Sequence, residues 1–338
     1  MSKAKPTPVR HVSHRWTTLI LLGLGLLSAG PTGCAALLPR SISPLARLEQ
    51  SLVFHPAAYP YGDWKPTRFK FEDAWIETPD GLTIHGWHLH HDEPAAVALY
   101  CHGNAGNITY FADTLEVLHK RHRLSVLGFD YRGFGRSEGK PTEEGVYTDA
   151  RAARRWLAER EGVDESEIVL LGQSLGGGVA VELASTDGCR GLVLASTFTS
   201  LPDVAKWHAP WLPARTLMTH TMTSIEKIRK YDGPLLLVHG TQDRVVPFKH
   251  GEALFEAAAG DKTMVIVPDG DHIDPLPEDY RLAFDRFIGK LKTPTVLNSS
   301  HADSRKPRRE VQKLRATRPA PGHGREDRVA KGLTGGLL

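Results

Sequence analysis

Cysteine is scarce in this chain: three residues, at positions 34, 101 and 189. Three cannot build a disulfide framework, and no two share the spacing of a zinc or iron–sulfur ligand pair. No pattern recurs every 20–50 residues, which excludes solenoids and propellers. The 32 glycines follow no G-X-Y period, so the chain is not collagenous. Nor is it disordered throughout, because 41 % of its residues are apolar and 24 % charged, the balance of a globular protein. Its 338 residues suit one large domain or two small ones.

Excess positive charge is missing from the middle. Residues 1–15 carry four Lys/Arg and no acid, while 296–338 carry ten Lys/Arg against four acids. The formal total of +3 therefore leaves −7 on residues 16–295. A nucleic-acid-binding domain holds positive charge on its folded surface, so no nucleic-acid partner is expected.

Charge of either sign is absent from Trp16 to Pro39, which contains Leu19-Ile-Leu-Leu-Gly-Leu-Gly-Leu-Leu27. Lys3, Lys5, Arg10 and Arg15 precede this run, as in an export signal. Its 24 residues would also cross ~30 Å of hydrocarbon. Gly30-Pro-Thr-Gly33 interrupts it and resembles the end of a bacterial lipoprotein signal, making Cys34 a lipidation candidate. Residues 1–39 are therefore expected to be a signal or membrane anchor. Positive flanks stay cytoplasmic, which puts the rest of the chain on the exported side of the cell envelope. Residues 40–69 read as a linker and N-terminal arm, and 70–293 as the folded domain. The Arg-, Pro- and Gly-rich stretch 294–338 reads as a disordered basic tail.

Within the body, 70–77 and 82–90 flank the turn signal Pro79-Asp-Gly81 and predict a hairpin. Nearly continuous apolar runs follow at 97–100, 124–129, 168–171, 192–195, 235–239 and 264–267, a pattern of parallel strands buried on both faces. Helical stretches near 107–121, 142–160, 175–185, 248–259 and 278–290 alternate with them. The expected class is α/β, a mostly parallel open sheet with helices on both faces and function at the strands' carboxyl ends. His85, His88 and His90 fall on the second hairpin segment and His91 just after it. Successive strand side chains point to opposite faces, so no shared metal is expected. Cys101 and Cys189 belong to opposite ends of the sheet and should not bridge.

Gly172-Gln-Ser-Leu-Gly176 fits G-x-S-x-G, with a strand running into it and a small-residue helix leaving it. Such a junction lifts the Ser174 hydroxyl to the top of the sheet. A serine hydroxyl needs a base held against it, and in this architecture acid and histidine follow in that order. Asp243 and His272 each stand beyond a predicted strand and fill those places. Negative charge developing on a substrate needs donors, which the N–H of Leu175 and an N–H of the loop His102–Asn107, at Asn104, are placed to supply. The one long insertion, 197–233, carries Trp207, Trp211 and Leu217, an apolar cap suited to an acyl chain. Within it, Thr223 and Glu226 form a capping-box pattern that predicts a helix start.

Together these segments resemble the α/β-hydrolase family. Four motifs carry the likeness: His102-Gly-Asn-Ala-Gly-Asn107, Asp130-Tyr-Arg-Gly-Phe-Gly-Arg-Ser-Glu-Gly139, Gly172-Gln-Ser-Leu-Gly-Gly177 and His239-Gly-Thr-Gln-Asp-Arg-Val-Val-Pro247. Within the family the chain looks most like membrane-tethered serine hydrolases grouped with serine aminopeptidases and Bem-type proteins, relatives of palmitoyl-protein thioesterases. Ser51-Leu-Val-Phe-His-Pro56 fits their N-terminal signature, whereas Ile273 stands where they usually carry Asn. The resemblance implies a structural role for Asp130. Residues and resemblance together give a serine hydrolase of esters or thioesters, with Ser174 as nucleophile, His272 as base then acid, and Asp243 orienting it. No metal or organic cofactor is expected. An aminopeptidase with the same triad, and a non-catalytic binding protein on the same fold, are the alternatives; the second usually lacks a triad member.

Overall fold

The computed structural model describes residues 44–291 and the strand 309–313. The expectations for 1–39, Cys34 among them, lie outside those residues. In chain order the first elements are α1 (Pro44–Val53), β1 (His55–Pro56), β2 (Glu72–Glu77), β3 (Thr83–Leu89), β4 (Ala96–Cys101) and β5 (Ala105–Gly106). Then come α2 (Ala112–Lys120), β6 (Leu124–Phe129), α3 (Glu143–Glu161), β7 (Val169–Gln173), α4 (Leu175–Asp187) and β8 (Gly191–Ala195). The insertion supplies α5 (Leu201–His208), α6 (Ala214–Leu217) and α7 (Ser224–Lys227). The remainder is β9 (Leu235–Gly240), α8 (Lys249–Ala257), β10 (Lys262–Val267), α9 (Glu278–Lys290) and β11 (Arg309–Lys313). Among the described residues no helix is long and apolar enough to cross a membrane.

Nine strands form one sheet in the order β11-β10-β9-β8-β7-β4-β6-β3-β2. β3 runs antiparallel to both neighbours, and the other neighbouring pairs are parallel. Burial explains the unbroken apolar runs. In β4, Val97, Leu99 and Cys101 enter the core on one face, while Ala96, Ala98 and Tyr100 enter the core on the other. Local chemistry fixes the helix ends. At α3, the Thr142 side chain accepts the Gly145 N–H, Glu143 and Glu144 occupy the first turn, and Gly162 stops the helix at φ 67°. The chain leaves β4 for β6 on one side and returns to β7 on the other. Such a reversal opens a crevice at the strands' carboxyl ends.

Two expectations need correction. The domain expected at 70–293 starts earlier, because within the linker and N-terminal arm expected at 40–69 the chain packs into the domain from Pro44 onward. Glu49 of α1 is buried and accepts the backbone N–H groups of Thr219 and His220 in the insertion. Burial would raise its carboxyl, but the side chains of His220 and Thr219, together with those backbone bonds, hold it at about 2. The tail 294–338 is not wholly without structure either, since Arg309–Lys313 pairs in parallel with Lys262–Ile266. Main-chain pairing needs no apolar side chain, so composition carries no trace of it.

His250 on α8 lies under the insertion, 3 % exposed, with Nδ1 2.8 Å from Thr199 Oγ1. Burial, helped by Lys249, lowers its pKa from 6.5 to about 4. The unfolded chain thus takes up a proton near pH 6.5 that the folded chain refuses until about pH 4. Stability should fall as pH drops through that window, by on the order of 3 kcal/mol from this residue, and level off below it. Urea melts across the window should show a shallower pH dependence in His250→Gln. An unchanged slope would exclude His250 as the source.

Candidate active site

Strand β7 delivers Ser174 to the crevice at φ 52° and ψ −116°, a backbone conformation that costs a non-glycine residue about 1–3 kcal/mol. Surrounding bonds hold it there. The Ser174 N–H donates to Ala195 O at 2.9 Å, and Thr197 Oγ1 donates to Ser174 O at 2.8 Å. Close approach demands the flanking glycines: a Cβ on Gly176 would sit 1.9 Å from Cys101 O, and one on Gly172 2.5 Å from Gly176 O. The helix leaving the turn therefore lies directly against β4.

Three side chains from three strand ends then meet. His272 Nε2 is 3.1 Å from Ser174 Oγ, and His272 Nδ1 is 2.8 Å from Asp243 Oδ2. Asp243 is fixed from behind, its Oδ1 accepting the N–H groups of Val245 at 2.9 Å and Val246 at 2.7 Å. Burial would raise its carboxyl, but His239 and His272 beside it hold it well below the usual carboxylate range. His239 has no role legible in the sequence beyond its motif. Its Nε2 lies 3.2 Å from Asp243 Oδ2 and 2.8 Å from Val246 O, so it braces the loop that carries the acid. A histidine inside an apolar strand, four residues before the acid, is the signal that points to it.

The acids nearest His272 in sequence do different work. Asp271 Oδ1 accepts the N–H of His272 at 2.8 Å and of Arg244 at 3.0 Å, and Asp274 Oδ2 accepts the N–H of Asp271 at 2.9 Å. They brace the histidine's backbone rather than its ring. Ile273, where Asn is usual in the resembling proteins, points outward and is 45 % exposed.

The loop after β4 lies against the serine: a Cβ on Gly103 would be 3.7 Å from Ser174 Cβ. Asn104 sits next in that loop. Leu175 opens α4, so its N–H is one of those no carbonyl of the helix accepts. The N-terminal arm clamps the loop. Asn104 Nδ2 donates to Val53 O at 2.9 Å, the His55 N–H donates to Asn104 O at 2.8 Å, and Asn107 Nδ2 donates to Ala57 O and Tyr61 O, each at 2.9 Å. Asp130, fully buried, accepts the Ile108 N–H at 2.7 Å. Its carboxylate thus ties its own loop to the one beside Ser174.

The insertion reaches the site through α5, where His208 Nε2 is 2.9 Å from Val245 O, two residues beyond Asp243. Trp207, Trp211 and Leu217 are 52 %, 60 % and 53 % exposed. Lys249 Nζ lies 4.1 Å from the centre of the Trp207 ring. A cavity against His272 is lined by Gln173, Ser196, Gly240, Asp271, Asp274 and Leu276 among others, and not by those three. Thr223 does precede α7, but its side chain makes no capping bond, so the expected capping box does not close. Its ψ of 69° departs from the extended backbone that a capping side chain uses. Cys101 and Cys189 are free, and burial pushes their thiols up to about 12 and about 11, which leaves them unreactive.

Sheet order, serine turn and the meeting of three strand ends define a hydrolase-fold protein. Residues 98–225 match the family described as alpha/beta hydrolase fold. An uncharacterized protein of Mycobacterium tuberculosis, Rv2307c, is 40 % identical over 251 residues, covering 74 % of this chain and 89 % of that protein. The alpha/beta hydrolase domain-containing protein WAV2 of Arabidopsis thaliana is 30 % identical over 270 residues, covering 72 % and 87 %. An uncharacterized membrane protein of Saccharomyces cerevisiae, YNL320W, is 30 % identical over 257 residues, covering 73 % and 90 %. Among solved structures, the Pyrococcus furiosus esterase Pf2001 superposes with a TM-score of 0.58 at 20 % identity, covering 71 % of this chain and 98 % of that one. The chain belongs to the α/β-hydrolase family.

Proposed function

We propose that the protein is a serine hydrolase that cleaves carboxylic esters or thioesters of acyl groups. The observation that carries this reading is the run Ser174 Oγ, His272 and Asp243, at 3.1 and 2.8 Å, on a strained turn. Ser174 Oγ attacks the acyl carbonyl while His272 Nε2 takes its proton. The N–H groups of Leu175 and Asn104 hold the tetrahedral oxyanion. His272 returns the proton to the departing alcohol or thiol, and water then releases the acid by the same steps in reverse. Asp243 holds the ring so that Nδ1 keeps its hydrogen and Nε2 is free to accept.

An acyl substrate fits the insertion, whose Trp207, Trp211 and Leu217 expose apolar surface on the segment tied to the acid loop. The kinship with membrane-tethered serine hydrolases of the aminopeptidase and Bem type is part of this proposal. A panel of p-nitrophenyl esters, acyl thioesters and aminoacyl amides tests it. Esters and thioesters should turn over, faster with longer chains, and Trp207→Ser with Trp211→Ser should flatten that dependence. Turnover confined to aminoacyl amides would replace the reading with a peptidase.

We further propose that residues 1–39 hold the enzyme at the cell envelope, by a span or by lipid on Cys34, with the hydrolase domain exported. Two acyl chains anchor far more firmly than one, so a lipoprotein form needs no span. Protease added to intact spheroplasts should digest the domain; protection until lysis would place it in the cytoplasm.

A further inference from the structure

At the end of the sheet away from Ser174, two histidines converge on one carboxylate. Strand alternation separates His85 from His88 but leaves His88 and His90 on the same face. There they meet Glu161, the last residue of α3. His88 Nε2 and His90 Nδ1 both lie 2.8 Å from Glu161 Oε1. The pairing of Leu89 with Val126 puts this group near the start of the parallel strands, whereas the triad stands at their far ends. His85 faces elsewhere, with Nε2 2.7 Å from Asp73, and His91 packs against His119 with ring centres 5.6 Å apart.

Two observations make this more than a pair of hydrogen bonds. First, His88 is 2 % exposed, yet neither ring nitrogen makes a well-directed hydrogen bond, although Nε2 lies 2.8 Å from Glu161 Oε1 and Nδ1 3.7 Å from Glu72 Oε2. A buried imidazole normally satisfies at least one nitrogen. Second, the Glu161 side chain, 4 % exposed, ends a helix whose terminal carbonyls already disfavour negative charge. Both are relieved by one cation among the three ligand atoms.

We propose that His88, His90 and Glu161 form a divalent transition-metal site, taking zinc as its ion. Imidazole nitrogen and carboxylate oxygen are its ligand types, bound at about 2.0–2.2 Å. Tetrahedral ligands at such distances stand about 3.3 Å apart; the three ligand atoms lie within 4.8 Å of one another, and each nitrogen would retreat from Glu161 Oε1 by about half an ångström. His90 is 58 % exposed, which leaves a fourth position open to solvent. Water can complete the shell. Far from the nucleophile, the ion would fasten β3 and the residue after it to the end of α3, and it has no part in acyl transfer.

The test uses tag-free full-length protein titrated with zinc chloride at pH 7.5, followed by calorimetry, elemental analysis and thermal melting. One zinc per chain should bind, and Tm should rise with zinc because the ion binds the folded state. His90→Gln, at an exposed position, should fold normally and weaken zinc binding by more than about 10-fold, the loss that disturbing outer-shell partners alone produces. His91→Gln should bind as the parent does. Ester turnover should be the same with and without zinc. Absence of stoichiometric zinc binding, or equal binding in the parent and His90→Gln, would overturn the site.

Discussion

Ser174→Ala should abolish labelling by a fluorophosphonate and lower ester turnover at least ~10³-fold, the scale of losing one member of a unit that works together. The loss should be chemical rather than structural. Alanine keeps the Cβ, so the cost of φ 52° is unchanged, and the bonds that fix the turn use the main chain of residue 174. Melting temperature should therefore stay close to that of the parent. Mass spectrometry of the labelled parent should place the adduct on Ser174. Comparable labelling of the alanine variant would move the nucleophile elsewhere and sink the proposed mechanism.

Asp243→Asn should cost on the order of 10⁴-fold in turnover while leaving a folded protein. The hydrogen bonds around the residue dictate why. Val245 and Val246 offer two N–H groups to Oδ1, so the amide oxygen of asparagine belongs there. Its NH₂ then faces His272 Nδ1, which must accept, and the ring hydrogen shifts to Nε2. An Nε2 that carries hydrogen cannot receive the proton of Ser174. The same NH₂ meets His239 Nε2, which already donates to Val246 O, so some stability goes as well. Circular dichroism should still report the parent fold. Asp271→Asn is the control, because Asp271 bonds to the backbone of His272 and to Arg244. A large loss at Asp271 alongside an active Asp243→Asn would reverse the two assignments.

Both variants rest on residues that are legible in the amino-acid sequence. Ser174, Asp243 and His272 follow separate apolar runs, and the structure brings all three within hydrogen-bonding reach. The runs themselves are plain because strands buried on both faces have no polar alternation to blur them. Contacts between distant residues leave no such trace. The Glu49 clamp on Thr219 and His220 joins positions about 170 apart, and its α1 lies in what reads as a linker and N-terminal arm outside the domain. Glu161 stands 71 residues from His90, so four nearby histidines that alternate along a strand conceal the pair that shares a face with it. The Thr223 capping box is legible and misleading, since its spacing exists without the backbone angle it needs. Strand β11 is invisible for another reason. Its pairing is made by the main chain, on which Arg309-Glu-Val-Gln-Lys313 leaves no mark.

Without that last strand, β10 would be the outermost member of the sheet. A row of its N–H and C=O groups would face solvent, ready to recruit a strand from another molecule. The opposite border is guarded differently, by the exposed charged side chains Glu72, Asp73 and Glu77 along β2, the first two paired with Arg160 and Arg136, which an incoming strand would have to desolvate. Five residues from an otherwise solvent-loving tail thus serve as a sacrificial neighbour, occupying the docking side of β10 before a second copy can. A chain cut short of Arg309 would retain its triad and lose this protection, and light scattering would find it aggregating at concentrations where the full chain stays monodisperse.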